Sequence, residues 1–254
     1  MKILAITNQK GGVGKTTSTV NIAAGLAGLN QRVLVVDLDP QGNATTGSGV
    51  NKEDLSASVY HLLIEEERAL RIVQKSLSGG YDLWPANREL AGAEVELVDA
   101  PEREYRLKKA LAQVSDVYDW VLIDCPPALN LLTINALTAS WRIIIPMQCE
   151  YYALEGLSDL VQTIKRVRQH LNPVLEIEGL IRTMVDQRNA LSLQVSAQLE
   201  QHFGNKVYRT AIPRNVRLAE APSHGQTILQ YDRNSKGAQA YWNLAQEILQ
   251  RLTQ

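Results

Sequence analysis

The sequence predicts an α/β fold with a doubly wound, mostly parallel sheet and helices on both of its faces. Short apolar runs alternate along the chain with segments of helical periodicity. Two of the runs, 33–36 and 120–123, are continuously apolar, which is typical of strands that helices cover on both sides. A length of 254 residues without a repeat or long linker suits one large domain, so we expect residues 1–254 to form a single domain.

The predicted elements follow one another in a regular order. Each predicted strand is a short apolar run, and each predicted helix carries apolar residues three or four positions apart. The predicted strands are 2–7, 32–37, 81–84, 119–124, 142–147, 177–184 and 207–211. The predicted helices are 15–29, 58–68, 87–98, 103–115, 130–139, 154–170, 190–203 and 235–252. The charged segment 86–108 is interpreted as solvated helix faces.

A glycine-rich loop joins the first predicted strand to the first predicted helix. Its sequence, from residue 9 to 17, is Gln-Lys-Gly-Gly-Val-Gly-Lys-Thr-Thr. Glycines let backbone N–H groups converge on one anion, and the following helix adds the positive end of its dipole. Lys15 would reach the β- and γ-phosphates of a nucleotide, and the Thr16 hydroxyl would bind Mg²⁺. The segment therefore predicts a phosphate-binding P-loop.

The loop departs from the general P-loop pattern at one position. That pattern has a glycine five positions before Gly14, where this chain has Gln9. A second lysine, Lys10, comes directly before the glycine pair, at a position where the general pattern needs none.

A Rossmann dinucleotide site is an alternative interpretation of the glycines. Asp37 ends the next predicted strand, where an acid that binds a ribose would lie. That site needs a glycine at position 17, which is Thr17 here. It also gives Lys15 and Thr16 no function, so the P-loop interpretation is favoured.

Two predicted strands end in aspartates. Strand 32–37 runs into Asp37-Leu38-Asp39-Pro40, and strand 119–124 ends at Asp124. Ligands bind at the carboxyl ends of parallel strands, and alternation puts Asp37 and Asp39 on one side if the strand extends that far. These two acids would hold Mg²⁺ waters and orient an attacking water, although an Asp-Pro turn is the simpler alternative. Asp124 fits the Walker B pattern, in which a carboxylate steadies the magnesium shell.

Composition narrows the functional classes. The net charge of −1 gives no global indication of nucleic-acid or membrane binding, so a basic site has to be a local patch. Cys125 and Cys149 lie in or just after strand-like runs, and no Cys/His cluster suggests zinc or iron–sulfur. The sequence starts directly with a strand and has no apolar run of about 18 residues, so we expect a cytoplasmic protein without a signal peptide or membrane span.

These motifs together resemble the ParA/Soj-type partition ATPases of the ParA/MinD superfamily. Lys10 through Thr17 has the form of their deviant P-loop, also called the deviant Walker A motif. The other matching segments are 36–43, 124–127 and 212–223. The resemblance covers essentially all 254 residues, and the late segment favours the Soj-like branch. We expect no N-terminal DNA-reading extension, so the chain resembles the short chromosomal or small-plasmid type.

The resemblance implies a P-loop ATPase that forms a sandwich dimer with ATP and Mg²⁺. Lys10 matches the signature lysine that reaches the partner's phosphates, and Asp39 matches the aspartate that positions the hydrolytic water. The implied catalytic residues are Lys10, Lys15 and Asp39. The implied ATP-binding residues are Lys10, Gly11, Gly12, Val13, Gly14, Lys15, Thr16, Thr17, Pro213 and Asn215, the last two at the adenine. The implied magnesium residues are Thr16, with Asp124 and Asp37 behind the first coordination shell.

The resemblance also implies non-specific DNA binding in the ATP state on the nucleoid. Release would follow when a ParB-like centromere-binding protein stimulates the weak ATPase. Arg188 and Arg217 match the family's DNA-contact positions, and such contacts neutralise phosphates without reading bases. Further basic candidates are Arg182, Arg209, Arg214 and Lys236. Without the resemblance, the segment assigned to the adenine, 213–215, would be interpreted as a surface loop.

Three related functions are alternatives. A MinD-like membrane-cycling ATPase would need a basic amphipathic C-terminal helix, but the polar face of the last predicted helix has Arg251 as its single basic residue. A nitrogenase-reductase-like iron–sulfur protein would need cysteines that bind the cluster. The chain lacks suitable ones, since Cys125 comes directly after the Walker B residue Asp124. A ParA-like ATPase that positions a cargo other than DNA stays open.

Overall fold

The apolar runs of the chain form one seven-stranded sheet. The strands are β1 (Lys2–Ile6), β2 (Val33–Asp37), β3 (Gln74–Lys75), β4 (Asp82–Trp84), β5 (Trp120–Asp124), β6 (Arg142–Gln148) and β7 (Glu176–Thr183). Their order across the sheet is β3-β4-β2-β5-β1-β6-β7, and β3 alone runs antiparallel to its neighbour. The structure is a computed structural model that describes residues 1–150, 153–186 and 188–253. It confirms the predicted doubly wound α/β class.

Seven of the helices lie between strands along the chain, and four follow the last strand, β7. The helices are α1 (Lys15–Gly28), α2 (Asn43–Gly47), α3 (Val59–Ile64), α4 (Leu90–Glu96), α5 (Arg106–Ala112), α6 (Leu131–Ala139), α7 (Ala153–His170), α8 (Ala190–Phe203), α9 (Val216–Glu220), α10 (Ile228–Tyr231) and α11 (Lys236–Thr253). Four of these elements, β3, α2, α9 and α10, were not predicted. They span two to five residues each, which is too short to show a periodic pattern.

Both faces of the sheet are covered by apolar side chains. Along β2, Leu34 and Val36 belong to one apolar cluster and Val35 belongs to the other, because successive side chains point to opposite faces. Helices α1 and α11 pack against each other on the second of these faces. Gly25 makes their close approach possible, since a Cβ there would lie 2.5 Å from the Cβ of Ala245.

The register of the strands brings the chemically interesting residues to one edge of the sheet. Ile6 at the end of β1 is in register with Asp124 at the end of β5, and Asp124 is in register with Asp37 at the end of β2. The strand order changes direction at β1, since the sheet is built outwards from it on both sides. Its neighbours are β5 on one side and β6 on the other. Ligands of open α/β sheets bind at such a point.

The prediction of a strand at 207–211 is wrong. The segment forms one isolated bridge, to Leu180. The backbone N–H groups of Arg209 and Thr210 instead donate to the two carboxylate oxygens of Glu247, at 2.8 and 3.0 Å. Because a side chain of α11 takes these donors, they are not available to extend a ladder along β7.

Candidate functional site

Glycines give the loop between β1 and α1 a backbone shape that other residues resist. Gly12 and Gly14 have φ values of 73° and 86°, in the left-handed region. An ideal Cβ at Gly11 or Gly12 would meet no atom within 4 Å, so this part of the loop faces open space. Gly14 is the N-cap of α1, where the first N–H groups of the helix have no partner within it. The loop is therefore a cradle that suits an anion.

Lys15 lies at the start of α1, with 8% of its surface exposed. Its Nζ donates a hydrogen bond to the Lys10 carbonyl oxygen at 3.1 Å. Burial lowers the pKa of the Lys15 ammonium, and the nearby Asp124, Cys125 and Asp39 act in the opposite direction. An ammonium has three donors, and within the described residues Lys15 uses one of them. Phosphate oxygens would complete the hydrogen bonding of this buried cation.

Asp124 at the end of β5 is fully buried and receives two hydroxyl groups from α1. Thr16 Oγ1 donates to one carboxylate oxygen at 2.7 Å, and Thr19 Oγ1 donates to the other at 3.1 Å. Burial and the neighbouring charge of Asp37 raise the pKa of Asp124 to about 8. Thr19 was not among the predicted residues. Its spacing of three from Thr16 on one helix face could have indicated it.

The residues of this edge fit a magnesium ion that is bound together with a nucleotide. The Thr16 hydroxyl donates a hydrogen bond to Asp124, so the lone pairs of its oxygen remain available to a cation. Within the described residues, no group of three or more His, Cys, Asp or Glu side chains could hold a metal by itself. Mg²⁺ typically takes few protein ligands and completes its shell with phosphates and water.

Asp37 and Asp39 have different surroundings. Asp37 is fully buried, and one of its oxygens accepts bonds from both the backbone N–H and the hydroxyl of Thr45, each at 2.7 Å. Burial raises the pKa of Asp37 to about 7. Asp37 thereby anchors α2 to the end of β2. Strand β2 ends at Asp37, so strand alternation does not extend to Asp39. One Asp39 oxygen accepts from the Gln41 N–H at 2.9 Å, and the other accepts no hydrogen bond from the described residues.

Lys10 lies on the exposed rim of the loop. Its backbone N–H donates to Asn8 Oδ1 at 3.0 Å. The Asn8 amide in turn donates to the carbonyl of Pro146 at 2.8 Å, and Pro146 lies in β6, the neighbour of β1 in the sheet. The Lys10 ammonium forms an ion pair with Glu150 at 2.6 Å. The ammonium is therefore held by a residue that follows the end of β6.

Two polar residues that were not predicted hold the loop in place. Thr183 at the end of β7 donates its hydroxyl to the Val13 carbonyl at 2.8 Å. Asn21 donates to the Thr17 carbonyl at 2.8 Å and accepts from the Ile228 N–H at 2.8 Å. The contacts of Thr183 with Val13 and of Asn21 with Ile228 join residues far apart in sequence, and no local pattern signals them.

The predicted adenine residues lie beside the end of β7. Pro213 forms an isolated parallel bridge with Val185, two residues after Thr183. Asn215 accepts a hydrogen bond from the Arg217 N–H at 2.8 Å and so caps α9. The segment is therefore attached to the same strand whose Thr183 holds the glycine loop.

The two arginines predicted to contact DNA are both paired with acids. Arg188 has a side chain that is 91% exposed and forms an ion pair with Asp186 at 3.1 Å. Arg217, on α9, pairs with Glu220 at 2.8 Å and with Asp232 at 3.6 Å. Each guanidinium is accessible, but its charge is partly balanced by its neighbours.

Among the further basic candidates, Arg182 has a structural environment. Its side chain is 11% exposed, and it pairs with Glu200 and donates to the carbonyls of Tyr208 and Arg209. The structure therefore argues against Arg182 as a DNA contact. Exposed positions are those of Arg209, Arg214 and Lys236.

A glycine loop after the central strand, a buried lysine, and a hydroxyl held by a strand-end aspartate define a P-loop nucleoside triphosphatase. A family model described as an AAA domain matches residues 1–177.

Known proteins resemble the chain over nearly its whole length. The sporulation initiation inhibitor protein Soj of Bacillus subtilis is 55% identical, over 97% of this chain and 98% of that protein. The chromosome partitioning protein ParA of Caulobacter vibrioides is 48% identical, over 99% of this chain and 95% of that protein. A crystal structure of cobyrinic acid a,c-diamide synthase from Mycobacterium smegmatis with bound ADP and magnesium has a TM-score of 0.88 at 38% identity, covering 100% of this chain and 96% of that one. The chain belongs to the ParA/Soj family of partition ATPases.

Proposed function

We propose that this protein is an ATP-dependent dimerising ATPase that partitions a chromosome or plasmid. It binds DNA without sequence preference in its ATP state, on the nucleoid, and releases it when a ParB-like partner stimulates hydrolysis. The observation that carries the proposal is the position of Lys10, exposed on the rim of a glycine loop whose own phosphate lysine, Lys15, is buried. A second, exposed lysine at this rim is suited to the phosphates of a facing subunit.

Nucleotide binding would rest on the loop and on buried groups beneath it. The backbone from Gly11 to Thr17 cradles the phosphates, and Lys15 supplies the buried positive charge. Thr16, supported by Asp124 and Asp37, would hold a magnesium ion, which would supply positive charge at the phosphate oxygens. Pro213, which bridges to Val185 just after β7, and Asn215 would contact the adenine.

Hydrolysis would depend on positioning more than on covalent chemistry. Asp39 has one carboxylate oxygen without a partner among the described residues, so it can accept a hydrogen bond from the attacking water. The Lys10 ammonium is tied to Glu150 within its own chain, so its contribution to catalysis requires a partner subunit. Hydrolysis is then slow in the monomer and tied to association.

DNA binding would use exposed guanidinium groups. Arg188 and Arg217 are accessible, and contacts of this kind read backbone charge rather than bases. Because each arginine is already paired with an acid, binding by one subunit should be weak. A dimer doubles the number of contacts, which links DNA binding to ATP.

The structure gives less support to membrane cycling. The apolar face of α11 is buried, with Leu244 and Ile248 fully covered. That face is therefore not available to lie on a membrane surface. None of the helices that the structure describes is long and apolar enough to span a membrane.

The decisive experiment is retention of the protein on DNA of random sequence with ATP, with ADP and without nucleotide. We expect retention with ATP alone, and release together with faster hydrolysis when a ParB-like partner is added. Lys15→Ala serves as the control that lacks productive nucleotide binding. Lipid vesicles form a parallel arm. ATP-dependent binding to vesicles, or no ATP-dependent binding to DNA at modest salt, would overturn the proposal and favour a membrane or another scaffold.

A further inference from the structure

A cavity of about 690 Å³ lies on the side of α1 that is far from the glycine loop. Its walls come from the C-terminal end of α1, the turn 78–80, α10 and the first half of α11. No residue of the P-loop and none of the three site aspartates lines it. The volume falls in the range of pockets that hold small organic ligands, which is roughly 300–1,000 Å³.

Small residues and one aromatic ring form the apolar part of this cavity. Ala27, Gly28 and Gly80 line it, and the indole of Trp242 lies against Gly28. A Cβ at Gly28 would be 2.8 Å from Cζ3 of Trp242, so the ring reaches this position because residue 28 has no side chain. A planar indole beside small residues suits a flat apolar group.

A buried hydroxyl in the wall lacks a partner. Thr227 is 1% exposed, and its Oγ1 makes no hydrogen bond. Its backbone N–H donates to Ser78 Oγ at 3.2 Å, which fixes the residue in the wall. The hydroxyl oxygen is itself buried, so a ligand in the cavity does not reach it, and Thr227 serves as a fixed part of the wall.

The charge of the cavity is positive and unbalanced. Arg233 is the single charged residue among the described residues that line it. The neighbouring Asp232 pairs with Arg217 instead, at 3.6 Å. Within the described part of the chain, no carboxylate lies within 4 Å of the Arg233 guanidinium. The other polar groups nearby are the neutral side chains of Gln230, Gln239 and Asn243.

We propose that this cavity binds a small aromatic carboxylate. The ring lies against Trp242 and the small residues of α1, and the carboxylate pairs with Arg233. A guanidinium binds a carboxylate by two parallel hydrogen bonds, which makes an acid a better fit than a neutral amide of the same shape. The proposal is independent of partitioning, because it uses none of the residues assigned to ATP or DNA.

The test uses three probes and the indole N–H signals of the full-length protein in two-dimensional NMR. The chain has four tryptophans, and Trp242→Phe identifies the signal of residue 242. The probes are 3-phenylpropionate, 3-phenylpropionamide and acetate. We expect 3-phenylpropionate to shift the Trp242 signal with a Kd in the low millimolar range, as for other ligands of this size. The amide should bind about tenfold more weakly, and acetate should leave the signal in place.

Variants separate the contacts. Arg233→Gln should weaken 3-phenylpropionate about tenfold and leave the amide unchanged, since only the acid uses the charge. Arg88→Gln, at an exposed arginine that does not line the cavity, is the matched control and should change neither. Thr227→Val should leave the binding of both ring-bearing probes and the thermal stability of the protein unchanged, because the hydroxyl oxygen is buried and has no partner to lose.

Several outcomes would overturn the proposal. One is a Trp242 signal that stays in place at concentrations well above the low millimolar range. Another is equal binding of the acid and the amide, which would make the cavity an apolar pocket without anion recognition. A response to acetate equal to that of 3-phenylpropionate would show general anion binding.

Discussion

The ammonium of Lys10 lies 2.6 Å from a carboxylate oxygen of Glu150 in the same chain. Their side chains are 42% and 48% exposed, and an exposed pair of this kind contributes about 0.2–1 kcal/mol. The pair thus holds the lysine in a defined place but gives way to a more highly charged partner such as a triphosphate. Glu150 would then compete with the nucleotide of the facing subunit for Lys10.

Glu150→Gln should promote ATP-dependent dimerisation, because the competing charge is gone. Each dimer gives up two such pairs, one per subunit, so the association constant should rise by up to about thirtyfold. Sedimentation velocity with a slowly hydrolysed ATP analogue measures the effect. Lys10→Ala is the opposite control, which should bind nucleotide and fail to form a competent dimer. Normal dimerisation and partner-stimulated turnover of Lys10→Ala would show that Lys10 is a local phosphate contact.

Lys15→Ala should abolish productive ATP binding. The Lys15 ammonium is buried beneath the loop with one carbonyl partner, so its removal takes away the main positive charge facing the phosphates. Calorimetry would measure nucleotide affinity, with far-ultraviolet circular dichroism as the check on folding. Unchanged affinity and turnover would contradict the assignment of the phosphate site.

Asp39→Ala should bind ATP with nearly normal affinity and hydrolyse it far more slowly, by about a hundredfold or more, since general-base positioning typically contributes that much. The loop should survive the change because Asp37, not Asp39, anchors α2 through Thr45. The variant should accumulate as an ATP-bound dimer in light scattering. Normal turnover would assign the water to a different residue.

Much of this site could be predicted because its signals are local. The glycine loop and Asp124 stand out as short patterns at the ends of apolar runs. The contacts that hold the site together join distant residues, such as Thr183 with Val13 and Lys10 with Glu150, and a single sequence gives no register between them. The strand expected at 207–211 failed for the same reason, since a carboxylate from α11 takes its N–H groups.

Asp124→Asn should stabilise the nucleotide-free protein at alkaline pH. Burial raises the pKa of Asp124 to about 8 and that of Asp37 to about 7, so the native state keeps protons that the unfolded state loses above about pH 4. Wild-type stability from these groups is therefore fully present below about pH 4 and is lost as the pH rises to about 8.

The asparagine carries no charge, so the Asp124→Asn variant should unfold about 2–4 °C higher than wild type at pH above 8, a shift worth roughly 1 kcal/mol. Thermal unfolding with and without Mg-ATP measures this, and the variant should lose most of the stabilisation by nucleotide. A variant that is less stable than wild type without nucleotide at that pH would show that the hydrogen bonds from Thr16 and Thr19 outweigh the cost of burying the carboxylate.

Replacement of Arg217 by Glu, together with Arg188→Glu, should reduce DNA binding and spare ATP binding. Both residues lie outside the glycine loop, and their guanidinium groups are accessible. Each lost phosphate contact should reduce the slope of log affinity against log salt by about 0.9 on duplex DNA. Because Glu220 already pairs with Arg217 at 2.8 Å, Glu220→Gln should act in the opposite direction and tighten binding. Filter binding over a salt series measures both slopes, with Arg88→Glu as the control for a general change in charge. Two results would place the DNA surface elsewhere on the protein. One is a double variant of Arg188 and Arg217 that binds like wild type, and the other is a Glu220→Gln variant that changes affinity in the same direction as the double variant.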